Sequence, residues 1–245
     1  MEQLEKKVHE LLASCKNKFI CIQLQEINAL ILTEYSIQID DRCFYPIEVE
    51  AYFYDEDAFP DNHVHRNELQ QGRFGKLYFH RRLRNKEGRF LHFRGGCDIC
   101  LSTNNRVYYS ILIRGIKMND GTTICNSPNK VARCIIGNTT DTQRRISELE
   151  KQVCLIRSEN DPRLNRLIIH TKRYGLTTIR SSDFARYNLR ALTEFGTQFP
   201  HNKYKGKEEI AFSYFSSLNR SIKKEEVWDL LGYIPQRFLE SFNVI

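Results

Sequence analysis

Residues 46–54 read PIEVEAYFY, and Ile47, Val49, Ala51 and Phe53 alternate with Glu48, Glu50, Tyr52 and Tyr54. A strand turns successive side chains to opposite faces, so a period of two marks a β-strand with one apolar face. The other face then carries two carboxylates and two phenols in one line. A merely solvated face would accept Lys or Thr equally well, so the pattern points to a strand that presents chemistry. YYSILIRGIKM, residues 108–118, reads as a second, longer strand ended by the turn residues Asn119, Asp120 and Gly121.

Around these two strands the chain reads as antiparallel sheet with short turns from residue 18 to 118. Further strands are expected at 18–25, 35–39, 75–82, 89–93 and 97–101, with turns at Asn85–Gly88 and Asn104-Asn105. Leu4, Val8, Leu11, Leu12 and Cys15 recur at helical spacing, which predicts a helix over 2–15. The pattern changes after residue 137. Thr140 followed by Gln143 has the form of a capping box ahead of Ile146, Leu149 and Val153. Helices are expected from Pro162 to Lys172, from Ser182 or Asp183 to Phe195, and at 228–231 and 237–242, the last two parted by Gly232 and Pro235. The expectation is an α+β chain: a sheet domain over 1–137 and a mostly helical extension over 138–245.

With 245 residues and 41% apolar content, the chain is long enough to bury a core. No apolar run approaches the roughly 18 residues of a membrane helix, and MEQLEKKVHELL reads as a charged amphipathic helix rather than a signal peptide. The cytoplasm is therefore the expected compartment, nucleoid-associated in a prokaryote, and the eight cysteines read as thiols. Cys97 and Cys100, with Cys125 and Cys134, have the residue types of a zinc site, but their spacing favours buried thiols. Net charge is +7 and unevenly spread. Residues 66–94 hold nine Lys or Arg against two Glu, while residues 48–61 hold six acids and no Lys or Arg. A basic surface for a polyanion beside an acidic pocket is one reading of that contrast.

The motifs converge in order: EVEAY at 48–52, His63 and His65, Arg66-Asn67, GKLYFH at 75–80, ILIRGI at 111–116 and NSPNKVARCII at 126–136. In this order they resemble the alkyladenine (3-methyladenine) DNA glycosylase family. That family carries an E-x-E-A-Y strand, a downstream histidine, an Arg-Asn pair, a G-x-L-Y strand, a long apolar strand with Arg, and a P-x-K-L helix start. The resemblance covers about residues 5–137. It implies a curved antiparallel sheet flanked by helices, and hydrolysis of the N-glycosidic bond of a flipped-out base to leave an abasic site. It implies no cofactor.

On that resemblance Glu50 takes the proton of the attacking water and Arg114 helps place it, while Tyr52 stacks on the flipped base. His63 and His65 both fit the pocket histidine, and Tyr78 and His80 join the pocket, with His80 at a position where the family has a tyrosine. The family's purine-discriminating asparagine falls near Cys100, and Ser127 stands where a glycine precedes the motif proline. The base-reading pocket is therefore expected to differ from the family's. Arg81, Arg82, Arg84, Lys86 and Lys130 are the expected contacts to double-stranded DNA. Two other readings stay open: a non-catalytic nucleic-acid-binding protein on the same scaffold, and a glycosidase acting on RNA.

Overall fold

A computed structural model describes residues 1–13, 17–84, 90–124, 127–163, 167–176, 183–195 and 204–242, with the backbone alone at 17, 82–84 and 90–92. The chain is α+β, with a largely antiparallel, open sheet flanked by helices. Strands β1 (Tyr35–Ile39), β2 (Arg42–Tyr54), β3 (Leu77–Arg84), β4 (Phe90–Cys100) and β5 (Tyr108–Met118) run in the order β3-β4-β5-β2-β1. A short β6 (Thr123–Ile124) pairs with β5, β7 (Leu155–Arg157) extends the sheet beyond β1, and β8 (Ile169–Thr171) and β9 (Arg190–Leu192) pair with each other.

The alternation in 46–54 does form a strand, and it is the centre of the sheet. β5 lies along one side of β2. The other side is shared by β1 near its start and β9 at Glu48–Glu50. Val49, Ala51 and Phe53 face the main core with Ile99, Ile111 and Ile113. Helices α1 (Glu2–Leu12) and α2 (Asn17–Glu34) and, near the other end, α3 (Pro128–Ile136) cover that core.

Residues 18–25 are helix, not strand. Ile20, Leu24, Ile27 and Ile31 are buried on one side of α2, a spacing that shows only over the full 18 residues. In an eight-residue window the β-branched and aromatic side chains mimic a strand, although Phe19 and Ile22 remain exposed. The strands expected at 89–93 and 97–101 are one strand, β4, bent by a bulge. The turn at Asn85–Gly88 lies outside the described residues.

After residue 137 the sheet continues, because β7 pairs with β1 and β9 with β2. α4 (Thr142–Leu149) is capped by Asp141, whose carboxylate accepts from the Arg144 amide at 3.0 Å, not by Thr140. It buries Ile146 and Leu149 and ends before Val153, which is exposed. Residues 169–171 form β8 where a helix to Lys172 was expected. After Asp183 there is only a 3-10 turn at Phe184–Arg186 before β9. Open backbone along β2 takes β9, and β9 in turn offers its other edge to β8; strand pairing there satisfies groups that a helix would leave unpaired. Arg163 pins the approach, donating to the carbonyls of Ile31 and Pro46 and to the Asp161 carboxylate.

A helix not expected from the sequence, α5 (Lys207–Ser217), joins those expected at 228–231 and 237–242, which are present as the end of α6 (Lys224–Leu231) and as α7 (Gln236–Ser241), with Gly232 closing α6 in left-handed conformation and Pro235 opening α7. They build a second core around Ile169, Leu192, Phe195, Phe215 and Phe238, which also takes Ile47. No helix among the described residues is long and apolar enough to cross a membrane.

Candidate functional site

Two offset bulges shape the centre of the sheet. Pro46 lies opposite Ile116, Glu48 opposite Gly115 and Val49 opposite Ile113. Ile47 is therefore the extra residue on β2, and Arg114 the extra residue on β5. A bulged residue has no partner across the ladder and is free to be re-aimed. Arg114 reaches both carboxylates of β2: its Nε donates to Glu48 Oε1 at 3.0 Å and its Nη1 to Glu50 Oε2 at 3.3 Å.

Glu48 and Glu50 are fully buried. β9 supplies a second cation, Arg190, which sits opposite Glu50 in the ladder. Its Nε donates to Glu48 Oε1 at 2.8 Å and lies 4.0 Å from Glu50 Oε1. Two carboxylates thus face two guanidiniums, which removes the net charge that burial would otherwise make prohibitive. The Tyr174 amide closes the arrangement by donating to Glu50 Oε1 at 2.8 Å, and its ring lies 5.5 Å from the Arg114 guanidinium and 5.9 Å from that of Arg190. Burial alone would lower the Arg114 pKa, but Glu50 and Glu48 beside it hold it above its ordinary value.

Next along the same face is Tyr52, whose hydroxyl donates to Glu50 Oε2 at 3.1 Å. Burial and the adjacent Glu50 carboxylate push this phenol well above its ordinary range, so it stays a donor. Tyr52 also lines a cavity of about 430 Å³, together with His63, His65, Gln70, His80, Arg94, Asp98, Gly175 and Leu176. The Arg173 guanidinium lies over the ring, 4.8 Å from its centroid. Arg173 is itself buried, bound to Asp61 Oδ2 at 2.6 Å and to the Phe184 carbonyl at 2.8 Å. Glu50 does not line the cavity; it meets it through the Tyr52 hydroxyl.

The opposite wall comes from β3 and β4. Leu77 and Phe79 point to the core, while Tyr78 and His80 point the other way. Phe79 pairs with Cys97 and Arg81 with Phe93, so Arg94, Gly95 and Gly96 bulge opposite His80. The two glycines have φ of +90° and +106°. A Cβ on Gly96 would lie 2.8 Å from His80 Nδ1, so a bare glycine lets the imidazole lie against the bulge. His80 Nε2 is 2.6 Å from Asp98 Oδ1. Asp98 Oδ2 accepts from Ser110 Oγ at 2.7 Å, and Ser110 Oγ accepts from Gln70 Nε2 at 2.8 Å. Gln70 is fixed in turn by the Asn67 amide, in a capping box that closes the 3-10 turn at Glu68–Gln70. Burial would raise the Asp98 carboxyl, but His80, with the bonds from His80 and Ser110, holds it below the usual carboxylate range.

His65 stands beside this pair, its ring 4.5 Å from that of His80 and its Nδ1 3.3 Å from the Tyr78 hydroxyl. One edge of the imidazole is open to solvent. Desolvation of the remainder and the positive field of His80 still push it down to about 4.

Of the residues expected from the sequence, Glu50 and Arg114 are in contact, and Tyr52, His63, His65 and His80 line one cavity. Tyr78 is buried behind His65 and does not line it. β4 faces the cavity with Arg94 and Asp98, not with Cys100. Cys100 is buried and donates to the Leu69 carbonyl at 3.1 Å. An acid alone in the apolar run CDICL was the available sequence signal for Asp98. Arg190 and Tyr174 carried no local signal, because they reach Glu48 and Glu50 from more than 120 residues away.

Among the basic residues, Arg81 is turned inward. It binds both oxygens of Glu150, with Nη1 2.7 Å from Oε1, and is not presented to solvent. The backbones of Arg82 and Arg84 pair with His92 and Phe90 in the β3–β4 hairpin, and Lys86 lies outside the described residues. Lys130 is exposed in the first turn of α3, where the Ser127 hydroxyl accepts from its amide at 3.3 Å. Cys97 and Cys100 are buried thiols, Cys125 lies outside the described residues, and no group of three or more His, Cys, Asp or Glu among the described residues is arranged to hold a metal. The chain matches no protein-family model, and no curated protein matches it.

Proposed function

We propose that the chain is an N-glycosylase with an alkyladenine DNA glycosylase-like fold, acting on a base flipped out of double-stranded DNA and leaving an abasic site. One observation carries the reading: Tyr52, His63, His65 and His80 line a single cavity, with the Glu50 carboxylate one hydrogen bond behind the tyrosine. At about 430 Å³ the cavity falls within the usual range of small-molecule sites, roughly 300–1,000 Å³. A base removed from the helix loses its stacking, and flat rings on the pocket wall replace it.

In this reading Tyr52 stacks on the base and Glu50 takes the proton of the water that attacks the anomeric carbon. The carboxylate also offsets the positive charge that develops on the sugar. Arg114 and the Tyr174 amide hold Glu50 in one orientation. For the water to bind at Glu50 Oε2, the Tyr52 hydroxyl must yield its place there. Lys130 and Arg94 are two exposed cations suited to meet phosphates. The protein works in the cytoplasm and needs no cofactor.

A second reading rests on the enclosure of Glu50, whose two oxygens already accept from Tyr174, Tyr52 and Arg114. A carboxylate so satisfied also suits a non-catalytic nucleic-acid-binding protein. The test is incubation with duplexes bearing a panel of modified bases, and with matching RNA strands, followed by detection of abasic sites. Base release by the wild type that disappears in Glu50→Gln supports the glycosylase. Tight binding without release from any substrate selects the binding protein.

A further inference from the structure

We propose, on the basis of the glycosylase reading, that Arg173 is a positioning residue of the base pocket: its guanidinium takes one face of Tyr52 and, through Asp61, fixes the turn that carries His63, so that a flipped base meets a single tyrosine face in one orientation.

The pocket is not built by residues 1–137 alone. Gly175 and Leu176 line the cavity beside Tyr52, His63 and His65. They follow β8, and the alternation of that strand runs on past its end. Ile169, Thr171 and Arg173 are buried, while Lys172 and Tyr174 are exposed. Arg173 therefore points inward, and its side chain is fully buried.

Four contacts fix the guanidinium. Nη1 donates to Asp61 Oδ2 at 2.6 Å and to the Ala51 carbonyl at 3.3 Å. Nη2 donates to the Phe184 carbonyl at 2.8 Å, and the group lies 4.8 Å from the centroid of the Tyr52 ring. Ala51 and Tyr52 are consecutive in β2, so the guanidinium is tied to the strand whose ring it covers. A phenol ring has two faces for stacking. With one under Arg173, which does not line the cavity, at most one is left for a base.

Asp61 carries the arrangement to the loop that follows β2. Its Oδ1 accepts from the His63 amide at 3.0 Å, and its carbonyl accepts from the Val64 amide at 3.1 Å. One carboxylate thus joins Arg173 to the turn that presents His63 to the cavity. Stability alone is a poor reason for such a pair. Neither side chain has any exposed surface, and a salt bridge so buried is often replaceable by apolar residues without loss. What apolar residues do not supply is a flat, hydrogen-bonded cover for a ring.

The test compares the wild-type chain with Arg173→Lys and with the double variant Arg173→Met/Asp61→Asn. Lysine keeps the charge beside Asp61 but not the flat cover, and asparagine keeps an acceptor for the His63 amide. Each protein is read for melting temperature and single-turnover base release. Each is also read for the ratio of its affinity for duplexes bearing the panel of modified bases to that for a duplex bearing a tetrahydrofuran abasic analogue. That ratio isolates what the base itself contributes. A 2-aminopurine at the flipped position reports stacking through the quenching of its emission. Arg173→Lys should melt close to wild type yet lose about tenfold of the ratio, part of the usual worth of a base–aromatic stack, and the bound 2-aminopurine should emit more strongly. The double variant should show the same loss with no unpaired buried charge; if it does not fold, Arg173→Lys carries the test. A purely structural role predicts the reverse, a lower melting temperature with an unchanged ratio. That result, or wild-type ratio and emission in both variants, overturns the proposal and leaves the glycosylase reading standing. A wild type that binds the abasic analogue as tightly as every modified duplex, and releases no base, overturns both.

Discussion

The Tyr52 hydroxyl donates to Glu50 at 3.1 Å, so the one aromatic wall that touches the buried carboxylate is also the gate between it and the cavity. The two residues lie on the same face of β2, two positions apart, and the strand period alone makes them neighbours. Their roles are separable by substitution. Glu50→Gln should reduce base release by about 10²–10⁴ while leaving duplex affinity within a few-fold. Tyr52→Ala should instead weaken binding to a flipped base by about 1–3 kcal/mol, and Tyr52→Phe should keep most of that affinity. Single-turnover kinetics beside fluorescence anisotropy separates the two effects. Equal loss of affinity in Glu50→Gln and Tyr52→Ala would contradict the assignment.

Arg190→Met should destabilise the fold by about 3–5 kcal/mol near neutral pH, since it leaves Glu48 and Glu50 with one guanidinium between them. A buried carboxylate without its cation binds a proton more readily, so the penalty should shrink towards pH 5. Urea unfolding at pH 5 and pH 8 measures both. A penalty independent of pH would mean that packing, not charge, accounts for the loss.

Stability should fall as the solution is acidified from pH 7 to 4. His65 is depressed from 6.5 to about 4, and His170 is lowered too, by burial. Between those values the unfolded chain binds more protons than the folded one, so stability is present above the unfolded pKa and is lost as pH falls towards the folded one. His65→Gln should flatten part of that slope. Thermal melts of wild type and variant across this window provide the check, and parallel curves would count against it.

Gly96→Ala combines strain with a clash, at φ +106° and with a Cβ 2.8 Å from His80 Nδ1. Gly121→Ala at φ +83° meets nothing within 4 Å and carries strain alone. Each should cost about 1–3 kcal/mol in backbone terms, but only Gly96→Ala should shift the imidazole resonances of His80. NMR of the two variants against wild type decides the matter.

Removal of Arg81 should act on stability and not on nucleic-acid binding, because its guanidinium is engaged by Glu150. Lys130→Ala, at an exposed position, should instead reduce the slope of log affinity against log salt by about one. Titrations at several salt concentrations distinguish them. A reduced slope in Arg81→Ala with unchanged stability would place that side chain on the nucleic acid.

What the sequence determined by itself is the part written in local period. The alternation in 46–54 and the long apolar run in 108–118, stopped by turn residues, made both central strands, with Glu48, Glu50 and Tyr52 on one face. Gly232 and Pro235 marked the break between α6 and α7. Local period depends only on which faces a segment offers, and those are set by neighbours two to four residues away. Tertiary structure decided whatever depended on a partner. Residues 18–25 became helix because Ile20, Leu24, Ile27 and Ile31 had a sheet to cover. Residues 190–192 became a strand because the second half of β2 had an open side once β1 had paired with its start, and residues 169–171 became one by pairing with 190–192 in turn. Arg190 and Tyr174 reached Glu48 and Glu50 by the same route. Bulges at Ile47, Arg114 and Arg94–Gly96 re-aimed the side chains of the site, through slips of register between two strands that neither strand encodes alone.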